Sequence, residues 1–270
     1  MQSLSFLGGG IVAEALMKGI LSKGLYKPEQ ILVSDPLESR REHLARTYEV
    51  GVTSNNLDCL AAEAVLFAIK PAQLGTVLSE VKGQWSKSVL ALTVVAGARL
   101  EQFGNALGQG VPVIRAMPNT PCIIGQGIAA ITGNEWVDAA HLGRAREIFS
   151  AVGKVLELPE DYFDAVTGLS GSGPAYIALI IEGLIEAGVH QGLPRRISRE
   201  LVCQTMVGTS LLVQQSGAHP AELKDQVVTP AGTTAAGLQV LEEAALRATL
   251  CLAVSAATKR SKSLGAKRSS

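Results

Sequence analysis

The residues near the start of the chain that are best suited to chemistry form a glycine-rich turn. Gly8-x-Gly10-x-x-Ala13 directly follows the strand-like run Leu4-Ser5-Phe6-Leu7 and opens a segment with helical spacing. In this pattern one glycine makes the turn, the second lets the backbone approach a pyrophosphate, and a small third residue packs helix against strand. The pattern alone is weak, but its position after a strand predicts a dinucleotide site.

An acidic residue follows where the adenosine ribose of such a dinucleotide is expected. Asp35 ends a second strand-like run, Gln30 to Ser34, and lies 25 residues beyond Gly10. Its carboxylate can accept a hydrogen bond from a ribose 2′-OH, which favours NAD, or it can simply cap the next helix. Arg40 and Arg41 lie within reach of the same corner and can instead meet a 2′-phosphate. The choice between NADPH and NADH therefore stays open.

A loop late in the chain is suited to binding a small anion. Thr229-Pro230-Ala231-Gly232-Thr233-Thr234 precedes a helical segment from about Ala235 through Glu243. Backbone N–H groups at such a loop and helix N-terminus can bind a carboxylate. A capped helix start without any ligand is the alternative.

A third glycine-rich stretch, Thr167 to Tyr176, separates the two halves of the chain. Its glycines and serines predict a turn that lets the backbone approach another body closely, and Pro174 suits the first turn of a helix. A flexible linker is the alternative. Against a linker stands the apolar, helix-like segment Ala175 to Val189, which follows at once.

The elements that must position these residues change character at that stretch. Before it, apolar runs such as Ala64 to Ile69, Ser88 to Ala96 and Val111 to Ala116 predict buried parallel strands. The carboxyl ends of such strands meet at one edge of the sheet, where ligands bind. Lys70 and Asn119 follow two of these strands and are candidates for that edge, although Lys70 can also just reach solvent and Asn119 can belong to a plain proline turn.

Two further short strands, Gly127 to Ile131 and Lys154 to Leu158, flank a predicted helix from about Glu135 to Ser150 and complete the first domain. The remainder is long, Ala-rich and helical, with segments such as Ser198 to Gln215 and about Ala245 to Lys262. We therefore expect an α/β domain over residues 1–160 and an all-α domain over residues 161–270.

Composition narrows the class of protein. The 270 residues carry 24 basic and 24 acidic side chains, so no broad field favours nucleic acid or a membrane surface. The basic end from Lys259 to Ser270 is expected to be a solvated, frayed helix terminus. Neither a leader nor a long uncharged apolar run is visible, which predicts a soluble cytoplasmic protein. The cysteines are too widely separated for zinc or a disulfide framework: Cys59, Cys122, Cys203 and Cys251.

Taken together, several stretches resemble the pyrroline-5-carboxylate reductase family. The most specific are Val113 to Pro121 and Val166 to Tyr176, and the rest span nearly the whole chain in order: Phe6 to Gly10, Ala68 to Pro71, Val95 to Gly97, Gly192 to Arg195, His219-Pro220, Leu223 to Asp225 and Thr229 to Thr234. The resemblance implies a Rossmann-type N-terminal domain and a helical domain that interlocks with a partner subunit. It also implies reduction of 1-pyrroline-5-carboxylate to proline by NAD(P)H, at a site between the cofactor domain and the dimer interface.

The expected site combines a cofactor edge with a substrate loop. For the substrate we expect Thr234 to hydrogen-bond the ring nitrogen and the carboxylate to be held by the surrounding residues: Thr229, Ala231, Gly232, Thr233 and Ser172. For the cofactor, NADPH or, because of Asp35, NADH, we expect contacts from the glycine turn and the strand ends: Gly8, Gly10, Ile11, Val12, Ser34, Asp35, Ala68, Lys70, Pro71, Ala96, Gly97, Met117 and Asn119. No metal is expected.

Two departures from the family pattern bear on this site. Similar enzymes usually have Gly-Gly where this chain has Ala231-Gly232, which narrows the expected carboxylate pocket, and often Ser or Thr in place of Asp35. The related hydroxyacid dehydrogenases carry Lys and Asn where this chain has Ile177 and Ile181, so alcohol oxidation is disfavoured. A homodimer, with or without further ring assembly, is expected. The alternatives are a reductase of a related cyclic imine and a non-catalytic dinucleotide-sensing dimer.

Overall fold

A computed structural model of the chain describes residues 3–266, which form two compact units. The first unit extends to Ser172 and also contains the segment from Ser255 onward, whereas the second unit runs from Gly173 to Val254. The last four residues of the predicted basic end lie outside the described residues.

The first unit is built on an eight-stranded sheet. Its strands are β1 (Leu4–Leu7), β2 (Ile31–Ser34), β3 (Gly51–Thr53), β4 (Ala64–Phe67), β5 (Leu90–Thr93), β6 (Val113–Pro118), β7 (Gly127–Gly133) and β8 (Gly153–Glu157). They lie in the order β3-β2-β1-β4-β5-β6-β7-β8. Neighbouring strands are parallel except for β6 and β7. The first six strands thus have the order of a Rossmann dinucleotide-binding fold, and the expected α/β class is confirmed.

Helices cover both faces of this sheet. Strands β1, β4 and β5 are buried along their whole length, and their side chains alternate between two hydrophobic clusters. One cluster is completed by α1 (Ile11–Ser22), α2 (Glu38–Tyr48) and α5 (Ala139–Ser150). The other is completed by α3 (Leu74–Val81) and α4 (Leu100–Leu107). In the second cluster, Phe67 stacks on Trp85 and meets Phe103 edge to face.

The glycine-rich stretch at 167–176 differs from its predicted conformation. After the short helix α6 (Phe163–Val166), residues Thr167–Gly171 form a π-helical turn that continues into α7 (Gly173–His190). The Ser172 N–H donates to the Thr167 carbonyl at 2.8 Å, as a π-helical turn requires. The open turn predicted here is therefore wrong, whereas Pro174 does lie in the first turn of a helix, α7, as predicted.

The turn lies close to a strand of its own unit, and its predicted approach to another body stays a prediction. A Cβ on Gly171 would lie 2.8 Å from the terminal methyl of Met117, at the end of β6. The glycine thus lets the π-helical turn pack against the strand end that leads into the predicted cofactor edge.

The second unit is entirely helical. After α7 come α8 (Arg195–Ser216), α9 (Pro220–Gln226), α10 (Thr233–Glu243) and α11 (Leu246–Ala266), whose C-terminal part belongs to the first unit. Helices α7 and α8 pack closely at Gly188, where an added Cβ would lie 2.2 Å from Ser198 Oγ. The Ser198 hydroxyl donates to the Ile185 carbonyl at 2.9 Å.

Large apolar side chains cover the surface of this helical unit. Leu179 is 68% exposed and Leu201 is 54% exposed, and similar side chains follow along the other helices: Val207, Leu212, Val240 and Leu252. Within residues 3–266, one helical stretch, Glu160–His190, is long and apolar enough to span a membrane by length and composition, which is weak evidence for a single helix. Such exposed apolar area on a helical bundle is typical of a surface that another subunit covers.

The contacts divide the chain later than the predicted boundary at residues 160 and 161. Phe163 is fully buried in the first unit, and the hydroxyl of Ser261 on α11 donates to Asp164 at 2.6 Å. The predicted ranges 1–160 and 161–270 remain a prediction about functional domains. The packing itself assigns residues 161–172 and the end of α11 to the sheet-containing unit.

Candidate active site

The glycine turn after β1 has the geometry that a dinucleotide turn needs. Gly8 has a φ of +96°, and its N–H donates to the Ser34 carbonyl at 2.8 Å. A Cβ on Gly8 would lie 2.7 Å from the carbonyl oxygen of Ala68, at the end of the neighbouring strand β4. Both the left-handed backbone and the close strand end therefore require glycine at this position.

Gly10 is different, because neither its backbone angles nor any contact within residues 3–266 requires a glycine there. Its φ is −68°, which any residue adopts, and an added Cβ would have no heavy atom within 4 Å. It is the N-cap of α1 and offers no side chain to the helix N–H groups. Ala13, the third small residue of the pattern, is fully buried. The open space at Gly10 and the uncapped helix start thus fit a pyrophosphate group.

The Asp35 carboxylate is anchored by two backbone N–H groups. Oδ2 accepts from Gly9 at 2.9 Å and Oδ1 accepts from Leu37 at 2.9 Å, so the side chain ties the glycine turn to the start of α2. The Arg41 guanidinium donates to the Asp35 carbonyl at 2.8 Å. The helix-cap interpretation of Asp35 is therefore confirmed by its bond to the Leu37 N–H, whereas its contact with a ribose stays a prediction.

A charged cluster behind the glycine turn escaped the sequence analysis. Arg40 donates to the Gly9 carbonyl and to the Glu14 carboxylate, whose other oxygen lies 2.9 Å from His43 Nε2 and accepts from the Tyr48 hydroxyl at 3.0 Å. Burial alone would raise the pKa of Glu14, but these hydrogen bonds outweigh it and lower the pKa to about 2. Glu14 is thus an anion at any physiological pH.

The remaining cofactor candidates follow the strands of the same edge. Lys70 is exposed just after β4, and Gly97 after β5 has a φ of +74°. Asn119 follows β6, and its Oδ1 accepts from the Ile128 N–H at 2.9 Å. This bond fixes the side chain and leaves its amide nitrogen as the group suited to a ligand. The strand order brings these residues to one edge with the others of the first unit: Ile11, Val12, Ser34, Ala68, Pro71, Ala96 and Met117.

Arg115, which the sequence analysis gave no role, links three elements beside this edge. It is buried in β6, and its guanidinium contacts Glu160 Oε1 at 2.9 Å and stacks on Phe163 at 4.6 Å. The same Glu160 oxygen accepts from the Leu100 N–H that begins α4. Burial lowers the pKa of Arg115, although Glu160 opposes that shift. The sequence did contain a signal for this role, because Arg115 is a charged residue within an otherwise apolar strand pattern.

The substrate loop lies in the second unit. Ala231 has a φ of +55°, and Gly232 follows as the N-cap of α10 without any side-chain cap. A Cβ on Gly232 would lie 2.2 Å from Thr229 Oγ1, so this position needs glycine whereas Ala231 is tolerated at some strain. Thr233 and Thr234 form the first turn of α10, where backbone N–H groups have no intrahelical acceptor. Ser172, the other predicted substrate residue, ends the first unit.

Together the fold and the glycine turn define a dinucleotide-dependent oxidoreductase of the Rossmann type. Residues 3–96 match the family model described as NADP oxidoreductase, coenzyme F420-dependent, and residues 160–264 match pyrroline-5-carboxylate reductase dimerisation. The second match identifies the helical part of the chain.

Full-length relatives agree with these two matches. A pyrroline-5-carboxylate reductase of Synechocystis sp. is 44% identical over 98% of both chains, and one of Arabidopsis thaliana is 39% identical over 97% of this chain and 95% of its own. The NADP-bound crystal structure of Plasmodium falciparum pyrroline carboxylate reductase superposes with a TM-score of 0.89 at 32% identity, covering 98% of each chain. The chain belongs to the pyrroline-5-carboxylate reductase family and is an NAD(P)H-dependent oxidoreductase of proline biosynthesis.

Proposed function

We propose that this chain reduces 1-pyrroline-5-carboxylate to L-proline with NADPH, and that it also accepts NADH. When bound, the reduced nicotinamide supplies the hydride for the imine carbon. The observation that carries the cofactor assignment is Gly10, whose missing side chain the protein itself does not require. Gly8, Gly10 and the start of α1 hold the pyrophosphate, while Asp35 and Arg41 lie at the ribose corner.

The loop before α10 holds the substrate carboxylate. Gly232 leaves the first N–H groups of α10 uncapped, and an 11-residue helix adds a favourable dipole at that end. The left-handed Ala231 turns the chain so that Thr233 and Thr234 start the helix together. Backbone donors suit a carboxylate, since they bind the anion without fixing a countercharge close to the reacting ring.

Thr234 positions the ring by hydrogen-bonding its nitrogen. A cyclic imine that is already protonated is a strong electrophile, so the reaction needs orientation more than acid catalysis. In α7 the positions that carry Lys and Asn in hydroxyacid dehydrogenases are Ile177 and Ile181, which have no proton to exchange. Rate enhancement therefore comes mainly from holding the ring against the cofactor.

The helical unit makes the homodimer, with its exposed leucines and valines covered by the partner subunit. Residues 160–264 match the dimerisation model of the family, and the apolar surface described above needs such a cover. We further propose that the enzyme is cytoplasmic. We also propose that it has no nucleic-acid or membrane partners, since its net charge is zero. Assembly of dimers into a ring is a further possibility for this surface.

The test is oxidation of NADPH, and separately of NADH, by the dimeric protein with 1-pyrroline-5-carboxylate. We expect turnover with both, and a Thr234→Ala variant with lower turnover but nearly unchanged dinucleotide affinity. Thr233→Ala is the matched control for the ring contact, because Thr233 is assigned to the carboxylate through its backbone N–H, which alanine keeps. Wild-type protein that is folded and dimeric but inactive with both cofactors would contradict the proposal. Unchanged turnover in the Thr234 variant would remove Thr234 from the mechanism.

A further inference from the structure

The two arginines at the ribose corner have different partners. The Arg41 guanidinium donates to two neutral acceptors within residues 3–266, the carbonyl oxygens of Asp35 and Pro36, at 2.8 and 3.0 Å. Arg40 instead forms an ion pair with Glu14 and also donates to the Gly9 carbonyl. A phosphate can readily take Arg41 from neutral carbonyls, but it must compete with a carboxylate for Arg40.

Arg40 and Asp35 contact the same residue of the glycine turn. Asp35 accepts from the Gly9 N–H, and Arg40 donates to the Gly9 carbonyl. A long arginine side chain that is released from Glu14 therefore has its charge next to the corner where a 2′-phosphate binds. Glu14 lies on the first turn of α1 and occupies this charge in an ion pair.

Glu14 is held firmly enough to keep Arg40 in place. Its side chain is 24% exposed and that of Arg40 is 23% exposed, so solvent screens the pair only in part. His43 and Tyr48, both on α2, fix the second carboxylate oxygen. The low pKa of Glu14 agrees with this geometry, because the charged form accepts all of these bonds.

We propose that Glu14 is a specificity-determining residue, which sequesters Arg40 from the 2′-phosphate of NADPH and thereby weakens the discrimination between NADPH and NADH. The proposal rests on the proposed function only in that the glycine turn binds a dinucleotide. Asp35 and the sequestered Arg40 together favour a ribose hydroxyl, whereas Arg41 remains to meet a 2′-phosphate. Removal of the Glu14 charge should shift the balance towards NADPH.

The test compares the dissociation constants of NADP⁺ and NAD⁺ for the full-length dimer, measured by titration calorimetry. Glu14→Gln should change their ratio about tenfold in favour of NADP⁺, as expected for one charge-assisted hydrogen bond gained. Glu14→Gln combined with Arg40→Gln should return the ratio to within about twofold of wild type. The matched control is Tyr48→Phe, which removes one bond to Glu14 but neither charge, and should leave the ratio unchanged.

An unchanged ratio of the two dissociation constants in the Glu14→Gln variant would overturn the proposal. A gain in NADP⁺ preference that persists in the double variant, which lacks Arg40, would overturn it as well. If Glu14→Gln does not fold, Arg40→Gln alone decides the question. A sequestered Arg40 contributes little to NADP⁺ binding, so the ratio should stay within about twofold of wild type, and a selective loss of NADP⁺ affinity would refute sequestration. Failure of the premise that the glycine turn binds a dinucleotide would look different, since the wild type would then bind neither NADP⁺ nor NAD⁺, whereas loss of reductase activity alone would leave this test intact.

Discussion

Two alanine substitutions in one turn should separate the glycine that the fold requires from the glycine that the ligand requires. Gly8 combines a φ of +96° with a predicted Cβ position 2.7 Å from the Ala68 carbonyl oxygen. The left-handed backbone costs a non-glycine residue about 1–2 kcal/mol, and forcing a methyl group against backbone costs about 1–3 kcal/mol. Gly8→Ala should therefore lower the free energy of unfolding by roughly 2–5 kcal/mol.

Gly10→Ala should leave the stability of the protein nearly unchanged but weaken the binding of the dinucleotide. Alanine is a poorer N-cap than glycine, but at a φ of −68° with an open Cβ position it also lowers the entropy of the unfolded chain. These effects oppose each other, so the free energy of unfolding should change by about 0.5 kcal/mol or less. The new methyl group occupies the space reserved for the pyrophosphate, and the dissociation constant for NADPH should rise about tenfold or more.

Urea denaturation followed by circular dichroism measures the first quantity, and fluorescence titration with NADPH measures the second. Both variants and the wild type must be compared at the same protein concentration, because the stability of a dimer depends on that concentration. Normal NADPH affinity in Gly10→Ala would refute the assignment of this glycine to the ligand. Wild-type stability in Gly8→Ala would show that the turn can relax away from the Ala68 carbonyl.

Three further predictions concern single side chains. Arg115→Leu should destabilise the protein by about 2–3 kcal/mol in urea, because Glu160 loses a charged partner and Phe163 its stacked guanidinium; loss below about 0.5 kcal/mol would contradict this role. The pKa of Glu14 is lower in the folded state than in the unfolded state. The stability that the Glu14 charge contributes is therefore fully present above pH 4.5, the unfolded-state pKa, and is lost as the pH falls towards 2. After allowance for solvent screening, the difference in free energy of unfolding between the wild type and Glu14→Gln should fall by about 1–2 kcal/mol between neutral and acid pH. A difference that stays constant over this pH range would contradict the stabilising role of the Glu14 charge. Ala231→Gly should leave the unfolding free energy within about 0.5 kcal/mol, because relief of the φ of +55° offsets the extra entropy of an unfolded glycine, and should lower the KM for the imine if Ala231 narrows its pocket.

The sheet could be predicted from sequence because burial on both faces leaves continuous apolar runs. Strands β1, β2 and β4 were anticipated to within about two residues, since each run ends at glycine or a charged residue. Strand β3 and helices α3 and α4 were not anticipated. β3 has only three residues, and α3 and α4 have eight residues each, so none gives a long periodic signal.

The π-helical turn could not be predicted for a different reason. Glycine and serine in Thr167–Gly171 are compatible with a loop, a linker and a helix, and propensity favours the first two. The helical conformation is favoured by a contact with a residue that lies far away in the sequence. Gly171 packs on Met117 at the end of β6. The hydroxyls of Thr167 and Ser170 add only local bonds, to carbonyls one turn earlier.

The cofactor corner shows why sequence left the choice between NADPH and NADH open. A carboxylate after β2 is usually taken as a sign of NAD, but the Asp35 oxygens already accept from the N–H groups of Gly9 and Leu37. Nearby arginines are usually taken as a sign of NADP, but Arg40 is neutralised by Glu14, 26 residues earlier in the chain. Cofactor preference at this corner therefore depends on which charges remain available to the ligand after the protein has paired its own, and that pairing is a property of how α1 packs against α2.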